Sequence, residues 1–299
     1  MIKPQPLRSG DRVAIVSPAG ALQQTEILHA AADRLATWGL KVVVAPHASA
    51  RDGYFAGSVD ERADDFLAAL RDDSIKAIFC SYGGYGCVHL LPNIYNEIAR
   101  HPKWIIGMSD CSVLLAACVS SGIMSLHAVQ CRHLAQMGND KSSEFLQKTL
   151  FGWLPCYSLP AHPLNRLGSA KGTIVGGNLS VLSALISTPY DILKPERILF
   201  IEDINEPLYK IERMLYTLKL SGVLGSLKAL VVGSFSGCKE NKDLGGTAYE
   251  LIRRMVEEYD YPVCFDFPVG HGEDCYPIIE GATANLEINA NGVEIAFSL

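Results

Sequence analysis

Four short runs in the first half of the chain are almost wholly apolar: Arg12–Ser17 (RVAIVS), Lys41–Ala45 (KVVVA), Ile75–Cys80 (IKAIFC) and Trp104–Ile106. Two helix-like segments, Thr25–Trp38 and Asp60–Arg71, stand between them. A strand with one wet face alternates apolar and polar residues. A strand that is apolar nearly throughout must be covered on both faces. Strands of that kind alternating with helices predict an α/β fold with a parallel, layered sheet. Ligands in such sheets gather at the carboxyl ends of the strands. The residues that follow each run are therefore where chemistry is expected.

The segment Pro155–Gly172 (PCYSLPAHPLNRLGSAKG) is rich in Pro, Gly and Ser and has no periodicity. It reads as a linker. A second alternation follows it: a strand, a Gly-Gly-Asn turn and a helix within Lys171–Ile186, a strand at Ile198–Ile201, and a helix at Pro207–Ser221 opened by its proline. Leu227–Gly233 and Val263–Phe267 read as strands, and Ala284–Ile288 with Val293–Phe297 as a β-hairpin around Asn291-Gly292. The expected organisation is an N-terminal α/β domain over 1–160 and a C-terminal α/β domain over 171–299.

Composition excludes several classes. A net charge of −6 with scattered basic residues argues against a nucleic-acid surface. No apolar stretch approaches a membrane span. The run Val13–Val16 is too short for a signal peptide and reads as the first strand. Nine cysteines without a CxxC pair give neither a zinc spacing nor a disulfide framework, so buried thiols in a reducing cytoplasm are expected.

Three strand ends carry candidate chemistry. Trp104–Ile106 ends abruptly in Gly107-Met108-Ser109-Asp110, and Cys111–Ser121 reads as a helix. A serine on a sharp strand-to-helix turn can attack a carbonyl, and the first amides of the helix can hold an oxyanion. Cys111 replaces the second glycine of the usual Gly-x-Ser-x-Gly, and a simple Ser-Asp helix cap fits the same residues. Gly83-Gly84-Tyr85-Gly86 follows the strand ending at Cys80. It suits an oxyanion hole or a tight turn, and no Gly-Lys-Ser/Thr makes it a phosphate loop. Glu202-Asp203 follows Ile198–Ile201, and His271 lies in Pro268-Val269-Gly270-His271-Gly272. A carboxylate at a strand end can orient an imidazole that acts as general base. The order Ser, acid, His is one of the known triad orders.

The chain resembles a known family, the LD-carboxypeptidases or muramoyltetrapeptide carboxypeptidases of peptidase family S66. The resemblance runs through Gly10–Pro18, Gly83–Gly86, Gly107–Asp110, Gly176-Gly177-Asn178-Leu179, Leu199–Asp203, Ile211–Leu215 and Pro268–His271. It implies a serine hydrolase of two domains, the C-terminal one smaller, usually a homodimer. The implied catalytic residues are Ser109, Glu202 and His271. Backbone amides of Asp110 and of Gly83 or Gly84 are the implied oxyanion site. The implied reaction removes terminal D-Ala from cytoplasmic murein tetrapeptides during cell-wall recycling, with no metal or organic cofactor. Neither nucleic acid nor membrane is an expected partner.

The pattern departs from the family at two places near the expected substrate. Tyr82 stands where arginine usually precedes Gly-Gly-Tyr-Gly, and Ala128-Val129-Gln130 replaces Gly-Pro-Met after His127. The cation that holds the substrate carboxylate is then open, with Arg132 and Arg213 as candidates. An alternative keeps the triad but cleaves a peptide-nucleotide, as in microcin C immunity peptidases. It would need an aromatic stacking surface, for which Trp153 is the candidate. A non-catalytic muropeptide-binding protein is a third reading.

Overall fold

The computed structural model describes residues 1–136 and 140–298. The chain forms two compact units, each with its own sheet. One comprises Met1–Trp153 with Tyr276–Ile279, and the other Leu154–Cys275 with Glu280–Leu299.

In the first unit the four apolar runs become β1 (Arg12–Val16), β2 (Lys41–Val44), β3 (Ile75–Cys80) and β4 (Trp104–Gly107), followed by β5 (Ser125–His127). All pair in parallel in the order β5-β4-β3-β1-β2. The helices α1 (Glu26–Thr37), α2 (Val59–Arg71), α3 (Leu91–Ile98) and α4 (Ser112–Ser120) connect the strands as crossovers. Ser58 caps α2 in a capping box with Glu61, which satisfies two of the end amides. Two further helices, α5 (Cys131–Gln136) and α6 (Lys141–Leu150), complete the unit. Helix α4 is buried from Ser112 through Val119. A helix apolar on every side belongs in a core, so the turn that feeds it is anchored from below.

In the second unit the core strands are β7 (Gly168–Asn178), β8 (Arg197–Ile204), β9 (Ala229–Ser236) and β10 (Val263–Cys264), parallel throughout and preceded by β6 (Cys156–Leu159). Helices α7 (Leu179–Leu185), α8 (Leu208–Leu220) and α9 (Ala248–Met255) follow the first three of these core strands. The strand β11 (Ile278–Glu280) pairs at the β5 edge of the first sheet. The chain ends in β12 (Thr283–Asn289) and β13 (Gly292–Ser298), antiparallel to each other and to β7 and β6. The segment read as a linker is therefore partly sheet. β6 lies at the edge of the seven-stranded sheet, and β7 begins inside the same segment. Edge and wet-faced strands carry little apolar signal, and β6 buries only Tyr157 fully.

Glu280 ends β11 with no exposed surface. Neither carboxyl oxygen has a hydrogen-bond partner among the described residues. Burial pushes its pKa up to about 8, and the Gly176 amide pulls the other way without completing a well-formed bond. The folded state thus keeps a proton that the unfolded chain releases near pH 4.5. Stability falls as pH rises between those values and then levels off. At pH 7 the penalty is about 3 kcal/mol. Glu280→Gln should remove most of it. Urea unfolding at pH 5 and pH 8 should show a smaller loss in the variant than in the wild type. Equal losses would mean that Glu280 ionises freely in the folded chain.

Candidate active site

Ser109 occupies the turn between β4 and α4. Met108 is extended, and Ser109 then takes φ of +60°. A non-glycine residue there is strained, and such strain gathers at functional turns. A short 3₁₀ turn, Ser109–Cys111, leads into α4. The serine is half-buried, while Asp110 behind it is buried. This is the strand-turn-helix geometry of a nucleophile elbow, with Cys111 buried where a second glycine is usual.

Neighbouring segments hold the elbow from both sides. Asp110 Oδ2 accepts the Cys87 amide at 2.8 Å, which ties the loop after β3 to the turn. Burial pushes Asp110 up to about 6 despite that bond. The Gly83 backbone lies against the serine: a Cβ there would sit 2.8 Å from Ser109 Cβ and 3.3 Å from the Asp110 nitrogen. Only a glycine permits that approach. The Gly83 backbone and the Asp110 amide therefore stand side by side at Ser109. Gln130 supports the turn from the other side. Its Nε2 donates to Met108 O at 2.9 Å and faces Cys111 Sγ at 3.3 Å. The departure at Ala128-Val129-Gln130 is buried at all three residues. Tyr82, by contrast, lines an open cavity.

The second unit holds the acid and the base together. Glu202 and Asp203 are the buried end of β8 rather than loop residues, and the β8–β9 register slips between Ile201 and Asp203. Such a bulge re-aims side chains, and the two acids have separate partners. Asp203 accepts from Asn178 Nδ2, the Ser180 amide and the Ile204 amide at 2.9–3.0 Å. It anchors the start of α7, and burial pushes it up to about 6. Glu202 Oε2 lies 2.6 Å from His271 Nδ1. A carboxylate can only accept, so Nδ1 carries the proton and Nε2 is left as the basic nitrogen. Gly270, at φ +101°, makes this contact possible, because a Cβ there would sit 2.5 Å from Glu202 Oε2. Ser236 Oγ donates to the His271 carbonyl at 2.7 Å and fixes the loop. Burial lowers the His271 pKa, but the Glu202 hydrogen bond and the charges of Glu202 and Asp203 outweigh it. The net shift is upward from 6.5.

The remaining candidates are dispersed. Arg213 is exposed on α8, over the Tyr209 ring. Trp153 is half-buried and stacks on Phe145 at 5.4 Å. Among the described residues no group of three His, Cys, Asp or Glu could hold a metal ion. No described helix is long and apolar enough to cross a membrane.

Comparison with known proteins identifies the family. Residues 13–128 match the model of the LD-carboxypeptidase N-terminal domain, and residues 171–286 match that of the LD-carboxypeptidase C-terminal domain. The chain belongs to the LD-carboxypeptidase family. It is 32% identical to the murein tetrapeptide carboxypeptidase of Pseudomonas aeruginosa, over 93% of this chain and 94% of that one. The structure of a muramoyltetrapeptide carboxypeptidase from Oxalobacter formigenes superposes with a TM-score of 0.88 at 26% identity. That match covers 96% of this chain and 99% of the other. The microcin C7 self-immunity protein MccF in its apo state gives 0.89 at 21% identity, covering 99% and 98%. That likeness is one of fold. As a member of this family the chain is a serine-type hydrolase with a mixed α/β architecture.

Proposed function

We propose that this protein is a cytoplasmic, homodimeric LD-carboxypeptidase that removes the terminal D-alanine from murein tetrapeptides in cell-wall recycling. The bond cut joins the L-centre of the diamino acid to D-Ala. One observation carries the reaction type: a serine held at φ +60° on a strand-to-helix turn in a chain of this family. The substrate class rests on the relatives, which are murein tetrapeptide carboxypeptidases by name.

In this reading Ser109 Oγ attacks the scissile carbonyl while His271 Nε2 takes its proton. The amides of Asp110 and of Gly83 or Gly84 hold the oxyanion. The imidazolium, stabilised by Glu202, then protonates the departing D-Ala amine. Water repeats the sequence on the acyl-enzyme and frees Ser109. Every proton has a donor and an acceptor among these residues, and no step calls on a metal. Activity should therefore persist after dialysis against EDTA. Loss in EDTA with recovery on adding a divalent ion would count against the scheme.

The test is a substrate panel read by mass spectrometry: murein tetrapeptide, its pentapeptide precursor and aspartyl sulfamoyl adenosine. Loss of one D-Ala from the tetrapeptide alone is expected. Cleavage of the sulfamoyl adenosine with the tetrapeptide intact would replace this reading by the peptide-nucleotide one. The fold likeness to MccF is shared by both readings and does not separate them. Trp153, the stacking candidate of the second, is half-buried with Phe145 stacked on its ring.

A further inference from the structure

The first unit contains a cavity of about 450 Å³ whose wall includes Gly20, Tyr54, Tyr82, Arg51 and Arg132. It adjoins the elbow through the backbone. The Gly20 amide donates to Gly83 O at 2.9 Å, and a Cβ on Gly83 would lie 3.0 Å from Ser109 Oγ. The Tyr82 ring runs along this backbone, 3.4–3.5 Å from where Cβ atoms on Gly84 and Gly20 would stand.

Two cations reach the cavity, and they differ. Arg51 Nη2 donates to Leu22 O at 2.8 Å, so its guanidinium is tied to the wall. Arg132, in the first turn of α5, puts its amide on Ser81 O at 3.1 Å, just beyond β3. Its guanidinium lies over the Tyr82 ring, 5.5 Å from the centroid. Among the described residues no carboxylate pairs with it. An aromatic face orients a guanidinium without using its N–H donors. The fork remains available for a carboxylate, which it binds with two parallel hydrogen bonds.

We propose that Arg132, held on Tyr82, is the specificity residue that recognises a carboxylate of the substrate. This rests on the LD-carboxypeptidase reading of Ser109. A carboxypeptidase substrate ends in a carboxylate one residue beyond the scissile carbonyl, so its partner must stand near the nucleophile. Arg132 lies in the unit that carries Ser109 and is linked to it through Tyr82 and the adjoining Gly83 backbone. Arg213, exposed on α8, lies over the Tyr209 ring in the other unit. A second carboxylate, on the diamino acid or glutamyl residue, has the same chemistry, and the test separates the two.

Arg132→Gln should raise KM for the tetrapeptide roughly 10- to 100-fold, the loss of a charge-assisted contact, with kcat changed far less. Arg132→Lys should recover part of this. Amidating the contacted carboxylate should weaken the wild type by a similar factor and leave Arg132→Gln with no further loss. Whether the C-terminal or the internal amide gives that pattern identifies the group bound. An unchanged KM in Arg132→Gln, or full losses from every amidation in that variant, would overturn the assignment. Calorimetric titration of tetrapeptide into Ser109→Ala and Ser109→Ala/Arg132→Gln reads the contact without turnover. A 10- to 100-fold weaker fit in the double variant, with a wild type that binds but never cleaves, would keep Arg132 and sink the hydrolase reading. Equal affinities would sink the role of Arg132, and no binding to either protein would sink both.

Discussion

Ser109→Ala should lower kcat/KM for murein tetrapeptide by at least ~10³-fold while the protein stays folded. The Oγ is the only atom removed. The residue is half-buried, and among the described residues no hydrogen bond commits its hydroxyl in the way that Asp110 and Gln130 are committed. The substitution should therefore move the unfolding midpoint little. Alanine accepts φ +60° no better than serine, so the strain at the turn stays as it was. Activity within a few-fold of wild type would remove Ser109 from the mechanism. A collapse of stability would make the turn a structural feature instead.

Glu202→Gln should cost about as much, roughly 10³- to 10⁴-fold, by a different route. The carboxylate can only accept from His271 Nδ1. An amide can offer its NH₂ to Nδ1 and so favour the tautomer with the proton on Nε2, which cannot then take the serine proton. The pH profile separates this from a packing defect. The base form of His271 is the active one, so kcat/KM should rise with pH through the imidazole pKa, which lies above 6.5 in the wild type. Removing Glu202 leaves burial as the dominant influence, and burial favours the neutral ring. The acid limb should then move to lower pH while the maximum falls. A limb that stays in place with a normal maximum would show that the 2.6 Å contact has no bearing on turnover.

Much of the first unit was legible because β1, β3 and β4 are buried on both faces, whereas the edge strand β2 is half exposed. β1, β3 and β4 read directly from their apolar runs, and their carboxyl ends did mark the elbow and the glycine loop. The end of β8 was legible for the same reason, though not the division of labour between its two acids. That depends on a register slip and on which segments pass beside each carboxylate, and neither leaves a local pattern. The support that Gln130 gives the elbow was not legible for the same cause. It holds Met108 O, which only the packing of the β5–α5 turn against the elbow reveals. The early part of β7 and all of β6 were read as linker because their solvent-facing residues are polar. β11 escaped notice because its sheet neighbour, β5, lies far away in sequence. The hairpin was found, but its two-residue turn is Ala290-Asn291, one residue before Asn291-Gly292. The Asn289 side chain accepts the Asn291 amide there at 2.8 Å.

The sharpest single test is covalent. A fluorophosphonate reacts with a serine only where a base and an oxyanion site already activate it. Incubated with the wild-type protein and mapped by tandem mass spectrometry, the probe should leave one adduct, on Ser109, and excess murein tetrapeptide should protect against it. Labelling at another residue, or none in a preparation that still releases D-alanine from the tetrapeptide, would contradict the account.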